Sequence, residues 1–206
     1  MIPRIKICGI TSEADAQAAV RLGVDALGFV LAPSPRRVDP EGVRKICLSL
    51  PPFVNTVGVF VDEELKTVEE IASFCRLNWV QLHGGESPVY CRSLGLPILK
   101  AFRIRDARDI ENLDGYRDYV DGFVLDAYVP GKAGGTGKTF DWTLAEGAEV
   151  HGSIILSGGL TPENVKAAVE QVRPYGVDVS SGVESAPGVK DHEKMKRFVG
   201  EVRKIS

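Results

Sequence analysis

The sequence predicts an α/β chain whose eight parallel strands close into a (β/α)8, or TIM, barrel of near-minimal size. Three observations carry that reading. Short, mostly apolar, β-branched runs recur along the 206 residues, amphipathic stretches lie between them, and no linker, repeat or low-complexity segment divides the chain. Strands covered on both faces read as continuous apolar runs, and their alternation with helical patterns indicates parallel βαβ units. Spacing alone also allows a doubly wound open sheet, but eight strands, each followed by a helix or a short substitute, favour the barrel.

In chain order the expected strands are Arg4–Cys8, Ala26–Val30, Thr56–Phe60, Trp79–Leu82, Ile98–Phe102, Gly122–Leu125, Ser153–Leu156 and Gly176–Val179. After the first, Ser12 and Asp15 have the spacing of a capping box. After the third, Leu65, Val68, Ile71, Ala72 and Cys75 share one helical face. The helix expected after the sixth has the least support, because Phe140–Gly147 offers little periodicity. After the seventh, Thr161-Pro162 supplies an N-cap and a first-turn proline, and Val165, Ala168, Val169 and Val172 share a face. Residues 1–206 are expected to form one barrel domain.

Composition excludes several classes of function. The net charge of −3 argues against a nucleic-acid or anionic-membrane partner. No apolar run approaches the roughly 18 residues of a membrane span, and MIPRIKIC is too short an apolar stretch for a secretory signal. Cys8, Cys47, Cys75 and Cys91 form no CxxC pair, so neither a zinc site nor a redox motif is expected. Free thiols suit a reducing cytoplasm. No metal or organic cofactor is expected, and exposed barrel helices are compatible with a monomer or a homodimer.

In a barrel of this kind, chemistry gathers at the C-terminal ends of the strands. Cys8 ends the first strand and Asp126 the sixth, Gln81 and His83 bracket the end of the fourth, and Asp178 lies near the end of the eighth. Each also has a bland reading: a buried thiol, a turn or helix cap, a loop histidine. Cys47, Cys75 and Cys91 fall in helical segments, and His151 and His192 in polar ones. The glycine clusters are a stronger signal. LSGGLTPENV passes from a strand through Gly158 and Gly159 into a capped helix, and VDVSSGVE leaves the next strand through Ser180, Ser181 and Gly182. Loops after the seventh and eighth strands are the usual phosphate site of this fold. Gly137-Lys138-Thr139 resembles a nucleotide-binding P-loop, but Lys132 stands where that motif needs glycine. A glycine-rich loop beside the active site is the better description. In PSPRRVDP, Arg36 or Arg37 is either a solvated charge or a clamp for a carboxylate.

KICGIT, GFV followed by SPR, VGVFV, VQLHG, VLD, GGTGKTFDW, LSGGLTPENV and VDVSSGVE…PGVKD, in that order from Lys6 to about Asp191, resemble the phosphoribosylanthranilate isomerase family of tryptophan biosynthesis. The resemblance implies a (β/α)8 barrel and an Amadori rearrangement of a phosphorylated small-molecule substrate. It implies Cys8 as general base, Asp126 as general acid and Arg36 as the clamp for the anthranilate carboxylate. The Arg36 loop is shorter than in common members, which leaves Arg37 as the alternative. Gln81, His83 and Asp178 would line the pocket, with Asp178 toward a ribose hydroxyl, and Gly158, Gly159, Ser181 and Gly182 would hold the phosphate. An unperturbed thiol titrates near about 8.5 and a carboxyl near about 3.9, so acid–base work at neutral pH requires both to be tuned. A related barrel isomerase acting on both histidine and tryptophan intermediates has aspartate in place of the first-strand cysteine, and Cys8 argues against it. A phosphate-binding module without catalysis needs neither Cys8 nor Asp126.

Overall fold

The computed structural model describes residues 2–127 and 139–205; the glycine-rich stretch containing Gly137 and Lys138 lies outside the described residues. The barrel strands are β1 (Arg4–Cys8), β2 (Ala26–Val30), β3 (Asn55–Phe60), β4 (Trp79–Leu82), β5 (Ile98–Ile104), β6 (Gly122–Ala127), β7 (Ile154–Leu156) and β8 (Gly176–Val179). They close in sequence order, each parallel to its neighbours, with β1 returning to β8. Helices α1 (Glu13–Arg21), α2 (Pro40–Ser49), α3 (Leu65–Cys75), α4 (Pro88–Ser93), α5 (Ala107–Glu111), α6 (Val165–Val172) and α7 (His192–Arg203) lie between and after them. A two-stranded antiparallel ribbon, β9 (Glu184–Ala186) with β10 (Val189–Lys190), follows β8.

The expected strands agree with the observed ones to within one or two residues at each end. Local chemistry departs from expectation in three places. Ser12 caps α1, its Oγ accepting from the Asp15 N–H at 3.2 Å. The reciprocal half of the capping box is missing, because the Asp15 carboxylate turns to the Lys190 N–H and to His192 Nε2, at 3.3 and 2.8 Å. Helix α6 begins at Val165 rather than at Pro162. Thr161 and Asn164 bond to one another's neighbourhood first (Asn164 Oδ1 accepts from the Thr161 N–H at 2.8 Å), which makes a turn ahead of the helix. After β6 two 3₁₀ turns, Trp142–Ala145 and Ala148–His151, stand in place of the expected helix, where the apolar periodicity is weak.

Period-two alternation decides what faces the barrel interior. Ile5 and Ile7 of β1 belong to the apolar layer shared with Ala16 and Ala19 of α1 and Val199 and Val202 of α7. Lys6 and Cys8 therefore point inward. Inside, Val57, Leu99, Ala101 and Val124 pack with Ala26, Trp79 and Ile155. Above that apolar plug the register of β1 against β8 sets Lys6 beside Asp178, and that of β3 against β4 sets Gln81 beside Val59. The polar side chains thus lie toward the strand ends that open to solvent.

Candidate active site

At the C-terminal mouth of the barrel is a cavity of about 410 Å³. Cys8, Arg36, Gln81, His83, Asp126, Gly158, Gly159, Asp178 and Ser181 all line it, together with Ser157 and Ser180. Residues from β1, β4, β6 and β8 and from the loops after β2, β7 and β8 thus converge on one space. Gly182 is the exception among the expected residues. A Cβ at Gly182 would stand 1.9 Å from the Leu160 carbonyl oxygen, so that glycine serves the close approach of the two loops rather than the cavity wall.

Cys8 is 8% exposed and Asp126 5% exposed, so both meet the cavity with little solvent around them. Burial pushes the Cys8 thiol above its ordinary range; the Lys6 ammonium pulls it back, and Asp178 opposes Lys6. Lys6 itself is buried, which works to lower its proton affinity, but Asp178 beside it carries the net shift upward. Asp126 Oδ1 accepts from the Ala127 N–H at 2.8 Å, and its Oδ2 lies 3.3 Å from His83 Nε2. Gly158, at φ +82°, permits this. A Cβ there would meet the Ala127 nitrogen at 2.4 Å and Asp126 Oδ1 at 2.8 Å.

Arg36 lines the cavity while its guanidinium makes a two-pronged pair with Glu184, Nε at 2.8 Å and Nη2 at 2.7 Å. Lys190 Nζ donates to the same carboxylate at 2.8 Å. Burial works to raise the Glu184 carboxyl, but these hydrogen bonds hold it below its ordinary value. Arg37 is exposed and outside the cavity. Gly9, at φ +72°, is required by Arg36 rather than by ligand space, since a Cβ there would stand 2.7 Å from Arg36 Cδ. Among the described residues Asp178 Oδ1 is buried without a hydrogen-bond partner, while its Oδ2 takes the Lys6 ammonium at 2.7 Å. A free acceptor at the cavity wall suits a ligand hydroxyl.

The remaining candidates fall elsewhere. His151 pairs with Asp114 and His192 with Asp15, and Cys47, Cys75 and Cys91 lie in α2, α3 and α4. Among the described residues no group of His, Cys, Asp and Glu side chains is placed to hold a metal ion. No described helix is long and apolar enough to cross a membrane. Sequence reasoning missed Lys6, Glu184 and Lys190. For Lys6 a signal was present, since period two puts it on the same face as Cys8; Glu184 meets Arg36, and Lys190 meets Glu184, only through the β9–β10 ribbon.

The family model for N-(5'phosphoribosyl)anthranilate (PRA) isomerase matches residues 5–201. The chain belongs to that family. It is 54% identical over 202 residues to the N-(5'-phosphoribosyl)anthranilate isomerase of Moorella thermoacetica, covering 98% of this chain and 90% of the relative. The crystal structure of phosphoribosyl anthranilate isomerase from Thermotoga maritima superposes with a TM-score of 0.92 at 45% identity, over 98% of this chain and 100% of that one. A phosphoribosyl anthranilate isomerase in complex with reduced 1-(o-carboxyphenylamino)-1-deoxyribulose 5-phosphate superposes with a TM-score of 0.87 at 42% identity, with the same two coverages. Family membership and the barrel geometry agree with the motifs read from the sequence.

Proposed function

We propose that this chain is a single-domain cytoplasmic isomerase that converts N-(5-phosphoribosyl)anthranilate to 1-(2-carboxyphenylamino)-1-deoxyribulose 5-phosphate in tryptophan biosynthesis. The observation that carries the reading is the meeting of Cys8, Asp126 and both glycine loops in one cavity of a chain matched to this family over residues 5–201. Asp126 gives its proton to the furanose ring oxygen as the C1–O bond breaks, leaving a Schiff base. The Cys8 thiolate then takes the C2 proton, and the released electron pair forms the C1–C2 double bond of an enolamine. Tautomerisation to the ketone completes an isomerisation in which nothing is oxidised by an outside agent.

Arg36 offers its guanidinium to the anthranilate carboxylate, and the free Asp178 Oδ1 offers an acceptor to a ribose hydroxyl. Backbone N–H groups of the loops bearing Gly158, Gly159 and Ser181 suit a phosphate. Burial of Cys8 disfavours its thiolate in the unliganded protein, so kcat/KM is expected to rise with pH across the neutral range. Cys8 also speaks against the related barrel isomerase that carries aspartate there. The test is turnover of phosphoribosylanthranilate, followed as loss of its fluorescence, in the presence of a metal chelator. Turnover undiminished by the chelator is expected; no turnover, or turnover restored only by added divalent ion, contradicts the reading.

A further inference from the structure

We propose that Lys6 is a positioning residue for the reaction: a buried ammonium that fixes the amide of Gln81 and, through it, the His83 ring that faces Asp126. An ammonium group can only donate hydrogen bonds. Lys6 Nζ lies 2.7 Å from Asp178 Oδ2 and 2.9 Å from Gln81 Oε1, inside the barrel with 5% of the residue exposed. Gln81 must therefore turn its oxygen to Lys6 and its NH2 away. On that far side is His83 Nδ1, 3.0 Å from Gln81 Nε2. Because Nδ1 accepts, the ring carries its proton on Nε2. Among the described residues His83 Nε2 is buried without a hydrogen-bond partner, and it lies 3.3 Å from Asp126 Oδ2.

The ring's place is held separately from its polarity. The His83 N–H donates to the Phe60 carbonyl at 2.8 Å, and the His83 carbonyl accepts from Arg103 Nη2 at 3.0 Å. Lys100, paired with Glu86, donates to the carbonyls of Leu82 and Gly84 on either side. The backbone thus fixes where the imidazole sits, while Lys6 and Gln81 fix which nitrogen carries the hydrogen. With Gln81 reversed, Nε2 would present a lone pair to the carboxylate. In the orientation that Lys6 imposes, Nε2 carries its hydrogen 3.3 Å from Oδ2, placed to stabilise the carboxylate that remains once Asp126 has given up its proton. The inference rests on the proposed role of Asp126 as the acid, and long contacts of this kind tighten when substrate binds. It also accounts for a lysine in a barrel interior, where a charge is costly unless it is paired.

Three histidines make the ring ¹⁵N spectrum simple to assign, with His151→Gln and His192→Gln removing the other two signals. The parent protein should show His83 as the Nε2–H tautomer alone. Lys6→Met should mix the tautomers and lower kcat by at least about tenfold. Gln81→Leu should do the same while leaving the Lys6–Asp178 pair in place, and it decides the matter if Lys6→Met does not fold. A pure Nε2–H tautomer in the variant, or a changed tautomer with kcat within about threefold of the parent, overturns the proposal. Asp126→Asn with parental kcat would instead remove the acid on which the proposal rests, and that result is read independently of the spectrum.

Discussion

Removing Arg36 should cost the protein twice, and the structure separates the two losses. The guanidinium is 11% exposed and grips Glu184, itself 5% exposed, through both prongs of the fork. Breaking a buried pair by deleting one partner costs about 3–5 kcal/mol when the other charge is left alone. Here Glu184 keeps Lys190 at 2.8 Å, so Arg36→Ala is expected to cost less, about 2–3 kcal/mol of stability. The second loss is in binding. If the same guanidinium clamps the anthranilate carboxylate, its removal should weaken binding by about 2–5 kcal/mol, or roughly 30- to 4,000-fold in Kd. Urea midpoints give the first quantity, and calorimetric titration with the reduced product analogue gives the second. Arg37→Ala is the control: its side chain is exposed, and both quantities should stay within about 0.5 kcal/mol of the parent. Arg36→Ala with lost stability but parental Kd would make Arg36 a purely structural partner of Glu184. A larger binding loss in Arg37→Ala would move the clamp by one position.

Two further outcomes follow from the same geometry. Gly158→Ala should lower kcat and destabilise by more than the roughly 1–2 kcal/mol of a left-handed residue, because its Cβ would strike the Asp126 carboxylate and the Ala127 nitrogen. Gly147→Ala, at φ +79° in open space, should show the conformational cost alone; equal kcat in the two variants would refute the steric argument. Stability should also fall on the alkaline side. Burial pushes the thiols of Cys47 and Cys75 up to about 12 and about 11, whereas unfolded thiols ionise near about 8.5. Their contribution is whole below that unfolded value and declines as pH rises, by about 1.4 kcal/mol per unit for each thiol still protonated in the fold. Urea midpoints flat from about pH 8 to pH 10 would contradict it.

How much of this was legible depends on the range over which each feature is decided. Strands were readable because a strand buried on both faces is apolar along most of its length, as GFVL is in Gly122–Ala127. Cys8, Gln81, Asp126 and Asp178 were readable because they interrupt or end such runs. The partners were not, because they are set by closure of the barrel. Lys6 meets Asp178 across 172 residues, and Arg36 meets Glu184 across 148. That Gly182 stands outside the cavity was not legible, because a glycine-rich loop does not say which glycine faces open space and which lets a neighbouring carbonyl approach. The turn ahead of α6 was hidden by side chains that cap a turn as readily as a helix.

The central claim is that Cys8 takes the C2 proton and Asp126 supplies the proton that opens the ring. Its most direct test is kcat for Cys8→Ser, measured by fluorescence loss at saturating substrate alongside Asp126→Asn. A serine hydroxyl is far too weak an acid to replace a thiolate, and an amide has no proton to give in place of a carboxyl. With folding and phosphate binding intact, each variant is expected to lose roughly 10²–10⁴-fold in kcat. A Cys8→Ser kcat within about threefold of the parent would leave the thiol as packing and place the base on another residue.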